Sequence, residues 1–371
     1  MTYNSYTIIR NAFCRSDIAS AEKGDIVECY SPAVRDEIME ICKTKKYTPV
    51  VADYLMKLDC DYDFWKAHYD FFRQRNAKIL EFIASIFDEF YERDIKTPFV
   101  YENFGALLES GTDIALYASG DVDLCARIEE YDAISDVMNN HGFVLSSTKV
   151  DFYKCFRVCF SGKIGDMDYR INVMFTPLVR YKLPIIIDCN RILAPENFSY
   201  YENTKIRIPS CDVLLYLNML RISVHGYVRS PDIRLYIDIY NASVSKPNWE
   251  NILKWAEQDS TVNRVGTVAF IAKDMFHVDV SQALIQLRHK SKINKILSIV
   301  YDAENKKLVE KLSRTDHMKL EFYSDGNGFF MGVMKMIFPN RRWLKEYYCY
   351  DGEFVIKGYF RYLGYLIRGK I

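Results

Sequence analysis

In the stretch Tyr117-Ala118-Ser119-Gly120-Asp121-Val122-Asp123-Leu124, two aspartates alternate with two apolar residues. On a β-strand the period of two places both carboxylates on one face and Val122 and Leu124 on the other. Magnesium takes hard oxygen ligands, and phosphate-handling sites bind it through one or two carboxylates plus the substrate's phosphates. The pair is therefore a candidate metal site. Ser119-Gly120 supplies a turn and a close backbone approach just before the strand. The same Asp-x-Asp spacing also occurs in solvated turns and edge strands, so its meaning rests on its surroundings.

The chain around this stretch changes character twice. Residues 1–95 carry helical patterns: Ser31-Pro32 has the form of an N-cap and first-turn proline before a helix over 33–43, a second helix runs over 49–58, and a third over 61–92 is long enough for a kink or break. His68, among aromatics, reads as a packed histidine. From Lys96 the pattern turns to strands. Thr97-Pro98 ends the helix, 99–101 is a strand, Gly105 opens a short helix, and the acidic strand covers 122–128. A helix over 131–140 stops at Gly142, and strands follow at 143–145, 153–160 and 168–175. Residues 96–182 thus form a compact α/β unit that needs flanking helices to bury its sheet. Residues 183–371 return to helices, at 211–228, 232–240, 249–258 and 265–277.

Charge and cysteine content exclude several classes. Forty-nine basic and forty-nine acidic residues cancel over 371 positions, so no global field advertises nucleic acid or an anionic membrane. No apolar run approaches the roughly 20 residues that span a bilayer. The opening Met1-Thr2-Tyr3-Asn4-Ser5 lacks a basic segment followed by an apolar one. A cytoplasmic location is expected, with the ten cysteines reduced and no Cys-x-x-Cys zinc pattern among them.

The ordered blocks Phe104-Gly105-Ala106, Ser119 to Leu124, Gly142-Phe143, Leu217 to His225, Arg234 to Ile239, Asn248-Trp249-Glu250 and Ile337 to Leu344 resemble the nucleotidyltransferase superfamily. More closely, they resemble a bacterial nucleotidyltransferase family that surrounds a DNA-polymerase-β-like core with helical regions. The resemblance runs from about residue 99 to the end. It implies an α+β fold, a mixed sheet with helices, flanked by N-terminal and C-terminal helical regions. It also implies Mg²⁺- or Mn²⁺-dependent transfer of a nucleoside monophosphate from a nucleoside triphosphate to an acceptor, which is a small molecule, a peptide or RNA. Asp121 and Asp123 would be catalytic metal ligands. Gly105, Ser119 and Gly120 would approach the triphosphate.

Two departures stand out. Phe104-Gly105-Ala106 lacks the hydroxyl or cation that the family places beside its glycine. The third carboxylate is either Asp168 or the position of Asn172, which share a strand face but lie about 13 Å apart at 3.3 Å per residue. Asp168 is the preferred third ligand, because a neutral asparagine takes no proton from an acceptor. A degenerate, non-catalytic binding module and an enzyme that modifies RNA ends are the rival readings. Lys154, Arg157 and Arg170 are weaker phosphate contacts, and Arg221, His225 and Asp238 lie on the helices that follow. Asp238, inside an apolar run, requires a partner. From Lys335 to Ile371 eight basic residues face three acidic ones among many aromatics, a segment that either packs as a helix or contacts RNA or a membrane surface.

Overall fold

A computed structural model describes residues 5–14, 20–147, 157–176, 187–225, 227 and 235–286, with 294–295 and parts of 330–367. Lys154, Arg234 and the segment 301–329 lie outside the described residues. The architecture is α+β: a helical N-terminal region, a mixed five-stranded sheet and many further helices.

The N-terminal helices are α1 (Ser5–Cys14), α2 (Ser20–Cys29), α3 (Pro32–Lys45), α4 (Thr48–Lys57) and α5 (Tyr62–Glu92). Ser31 caps α3 as expected, its hydroxyl accepting from the Val34 N–H at 3.4 Å with Pro32 in the first turn. α5 is one uninterrupted helix of 31 residues. The expected break is absent because the segment contains neither proline nor glycine. His68 packs its ring edgewise on Phe64 at 4.9 Å.

The sheet comprises β1 (Phe99–Tyr101), β2 (Asp121–Cys125), β3 (Val144–Leu145), β4 (Arg157–Ile164) and β5 (Met167–Met174). Its order is β1-β2-β5-β4-β3, with β2 and β5 parallel and the other pairs antiparallel. β2 stops at Cys125, short of the expected 128, because its pairing with β5 runs out at Met174, whose carbonyl accepts the Ala126 N–H at 2.9 Å. Val122, Leu124, Ile171 and Val173, all 0% exposed, form the apolar face of the central pair. α7 (Tyr131–Asn140) ends as expected before Gly142, at φ +77°.

α6 (Glu102–Ser110) begins three residues earlier than expected, so Gly105 lies inside the helix and does not open it. A Cβ at 105 would stand 2.8 Å from the Val100 carbonyl oxygen of β1 and 3.5 Å from Leu214. The close approach that demands glycine here is thus to the chain's own backbone. After the hairpin β6 (Phe198–Tyr200) and β7 (Arg207–Pro209) come α8 (Cys211–His225), α9 (Leu235–Val244), α10 (Trp249–Gln258) and α11 (Val262–Phe276). α8 and α9 pack on α6. One continuous apolar core runs from Ile8 through the sheet to Ile285. Among the described residues no helix is long and apolar enough to cross a membrane.

Because the Val100 oxygen cannot rotate away, Gly105→Ala is expected to destabilise the protein by about 1–3 kcal/mol. Gly120→Ala, whose Cβ meets nothing within 4 Å, should stay within about 0.5 kcal/mol of wild type. Urea unfolding of both variants checks the contrast.

Candidate functional site

The acidic strand is positioned from below by α5. Asn76, fully buried, donates from Nδ2 to the carbonyls of Ile114 at 2.7 Å and Tyr117 at 2.8 Å. Arg75 donates to the Ser119 carbonyl at 2.5 Å while its guanidinium lies 5.0 Å from the Phe72 ring centre. These bonds satisfy the carbonyls of a loop that has no sheet partner of its own. The Tyr117 hydroxyl donates to the backbone carbonyl of Asp121. The loop is thereby held where it turns into β2.

On β2 the period of two places both carboxylates on one face, as the sequence implies. The parallel register sets Asp121 beside Arg170 and Asp123 beside Asn172. Asn172, 5% exposed, donates from Nδ2 to Asp121 Oδ2 at 2.9 Å and to Asp123 Oδ1 at 3.0 Å. Ser119 Oγ donates to Asp121 Oδ1 at 2.6 Å. Hydrogen bonds to charged acceptors contribute roughly 1.5–3 kcal/mol each, so one amide ties the pair together.

Of the expected site residues, the structure sets Asp121, Asp123 and Ser119 in one hydrogen-bonded group with Asn172, while Asp168 lies two residues before the β5 position beside Asp121. Asp168 is exposed and pairs across β4 with Lys163. It borders, with Gly120, Asp121, Lys163 and Arg170, an open pocket of about 740 Å³. Asn172 is the β5 residue beside the acidic pair. Gly105 is enclosed against β1 and Leu214, as described above.

A third acid does reach the pair, and sequence reasoning missed it. Glu102, the first residue of α6, is 7% exposed and has a left-handed φ of +56°, uncommon for a residue with a side chain. It forms an ion pair with Arg221 of α8 and lies close enough to Asp123 for its charge to act on that carboxyl. Burial, then the charges of Glu102 and Asp121, hold the Asp123 carboxyl well above the usual range, against the opposing Arg221. Burial disfavours the Arg221 charge, but Glu102, Asp123 and Asp238 outweigh it and raise its pKa. Asp238, 3% exposed on α9, adds the smallest of the negative charges that act on Arg221. The one local sign of Glu102 was an acid within the apolar run 99–108; nothing there pointed to residues 121–123.

Among the described residues no group of three or more His, Cys, Asp or Glu side chains is arranged to hold a metal ion. What is present is a two-carboxylate face whose acids are crowded enough to favour a proton on one of them. That donor set fits a hard divalent cation completed by ligands from a substrate. Comparison of the chain with protein-family models, with curated proteins and with solved structures finds no match.

Two substitutions test this electrostatic account. A carboxyl whose folded pKa lies above its unfolded value contributes stability that is lost as pH rises through the folded pKa. Asp123→Asn removes that loss, so it should raise the melting temperature in chelator at pH 8 by roughly 2 °C, about 1 kcal/mol, with less gain at pH 5. Asn172→Asp deletes both bridging bonds and adds a charge; it should lower the melting temperature in chelator, and millimolar Mg²⁺ or Mn²⁺ should restore most of the loss. Scanning fluorimetry reads both.

Proposed function

We propose that this protein is an Mg²⁺- or Mn²⁺-dependent nucleotidyltransferase with a polymerase-β-like core, moving a nucleoside monophosphate from a nucleoside triphosphate to an acceptor. The observation that carries the reading is the pair Asp121 and Asp123 on one face of β2, held by donors from Ser119 and Asn172. In such a reaction an acceptor oxygen bonds to the α-phosphorus, the bond to the bridging oxygen of the β-phosphate breaks, and pyrophosphate leaves with that electron pair. Asp121 and Asp123 would hold the cation, which would supply positive charge against the phosphate oxygens.

The chain's own residues do the positioning. Ser119 and Asn172 orient the carboxylate oxygens, and α5 fixes the loop through Arg75 and Asn76, so little reorganisation is needed when a substrate arrives. Arg221 balances Glu102 and Asp238 behind the pair and keeps three acids compatible in one buried region. A neutral asparagine beside the pair accepts no proton. An anionic acceptor such as a phosphate, which brings no proton to remove, suits this site better than an alcohol does.

The amide of Asn172 also favours a second reading, a nucleotide-binding module of the same fold without turnover, since it stands where a third carboxylate would otherwise face the pair. The two readings part on catalysis. Melting curves of wild type and of an Asp121→Asn/Asp123→Asn variant with ATP, CTP, GTP or UTP, each with and without Mg²⁺, test the shared site. One nucleotide is expected to stabilise wild type only with metal, by about 2.7 kcal/mol at 100 times its Kd, and to leave the double variant unmoved. No shift with any nucleotide overturns both readings. A shift without pyrophosphate release, across phosphorylated and hydroxyl acceptors, selects the module.

A further inference from the structure

At the opposite end of β2 from Ser119 the protein has a second concavity, of about 780 Å³, between the end of α5, the start of β1 and the β6–β7 hairpin. The volume lies within the range of small-molecule sites, roughly 300–1,000 Å³. Its lining pairs aromatic rings with cations and includes the acids Glu92 and Asp94, the latter in an ion pair with Lys96. Tyr91 and Tyr200 present their rings at 59% and 56% exposure. Lys205 Nζ lies 4.3 Å from the Tyr91 ring centre, and the Arg207 guanidinium lies 4.4 Å from that of Phe198. Arg127, just beyond the end of β2, adds a third cation.

The walls are fixed while the cations at the mouth are not. Glu130 accepts from the backbone N–H groups of Lys96 at 3.0 Å and Thr97 at 3.1 Å, and the Thr97 hydroxyl also donates to it. Arg207 donates to the Lys96 carbonyl, and Phe198 packs on Phe99 of β1 with ring centres 4.8 Å apart. Arg127 and Lys205 are exposed, and among the described residues neither forms an ion pair with a carboxylate. A ring face held only by a cation–π contact is available to another planar group at a cost of about 0.5–1 kcal/mol. The displaced ammonium then remains beside whatever anion that group carries.

We propose that this concavity binds a nucleotide unit, its base stacked on Tyr91 or Tyr200 and its phosphate held by Arg127 and Lys205. Base stacking on an aromatic side chain contributes roughly 1–3 kcal/mol and tolerates any base, while cations alongside carry the phosphate. The unit arrives either as a free nucleotide or as part of a single-stranded RNA. Arg127 is four residues from Asp123, roughly 13 Å along an extended chain, so the site is separate from the acidic pair and does not depend on how that pair functions.

The test is titration of AMP and of fluorescein-labelled rA8, in 50 mM salt without divalent metal, into wild type, Arg127→Glu/Lys205→Glu, Tyr91→Leu/Tyr200→Leu and Asp121→Asn/Asp123→Asn, with inorganic pyrophosphate as the anion control. All four substituted surface positions at 91, 127, 200 and 205 are expected to leave the melting temperature unchanged. Wild type and the aspartate variant should bind alike, and each of the other two variants should bind at least tenfold more weakly. Binding of rA8 well above AMP identifies RNA as the source, and equal binding identifies the free nucleotide; both support the site. Absence of binding by either probe, pyrophosphate binding as tightly as AMP, or no effect of the tyrosine substitutions overturns it.

Discussion

Two carboxylates forced onto one face of a strand repel each other, and burial sharpens the repulsion because water no longer screens it. The region around β2 is arranged to make this tolerable. Asn172 lends one amide to both acids, Ser119 lends a hydroxyl to the first, and Arg221 supplies a buried positive charge to the group behind them. Burial and the neighbouring charges of Glu102 and Asp121 hold the Asp123 carboxyl above its usual range, which eases what remains. Remove any one of these and an uncompensated acid is left in a site with few other partners.

That arrangement depends on elements far apart in the chain. α5 contributes Arg75 and Asn76, which hold the approach to β2; β5 contributes Asn172; α6 contributes Glu102; α8 contributes Arg221; α9 contributes Asp238. The apolar core is continuous through the helices and the sheet, so the acidic site sits where several packed layers meet. Gly105 illustrates the constraint: the helix carrying Glu102 comes so close to β1 that no side chain fits between them. The strained backbone of Glu102 itself persists because the ion pair with Arg221 and the packing of α6 hold it.

The two concavities divide the sheet chemically. At the start of β2 the pocket beside Asp121 mixes acids with Lys163 and Arg170, a setting suited to phosphate groups bridged through a cation. At its far end the walls are aromatic and the exposed charges mostly cationic, a setting suited to a base and its phosphate directly. Both linings carry more cations than acids, so a chain whose net charge is zero overall still concentrates positive charge locally. Charge summed over the whole sequence says nothing about either.

The sequence by itself determined what depends on neighbours in the chain. Alternation at 121–124 placed both acids on one face, Ser31-Pro32 marked the start of α3, Gly142 marked the end of α7, and the periods of two and 3.6 separated the sheet from the helices around it. It did not determine which residue of β5 stands beside the acids, because the register of two parallel strands more than forty residues apart is chosen by the packing of both faces and not by any local pattern. Asp168 and Asn172 share a face in sequence; only the pairing of Asp123 with Asn172 decided between them. Glu102, Arg221 and Asp238 were likewise invisible as a set, since like charges are brought together only when helix packing outweighs their repulsion, and that balance exists in three dimensions alone.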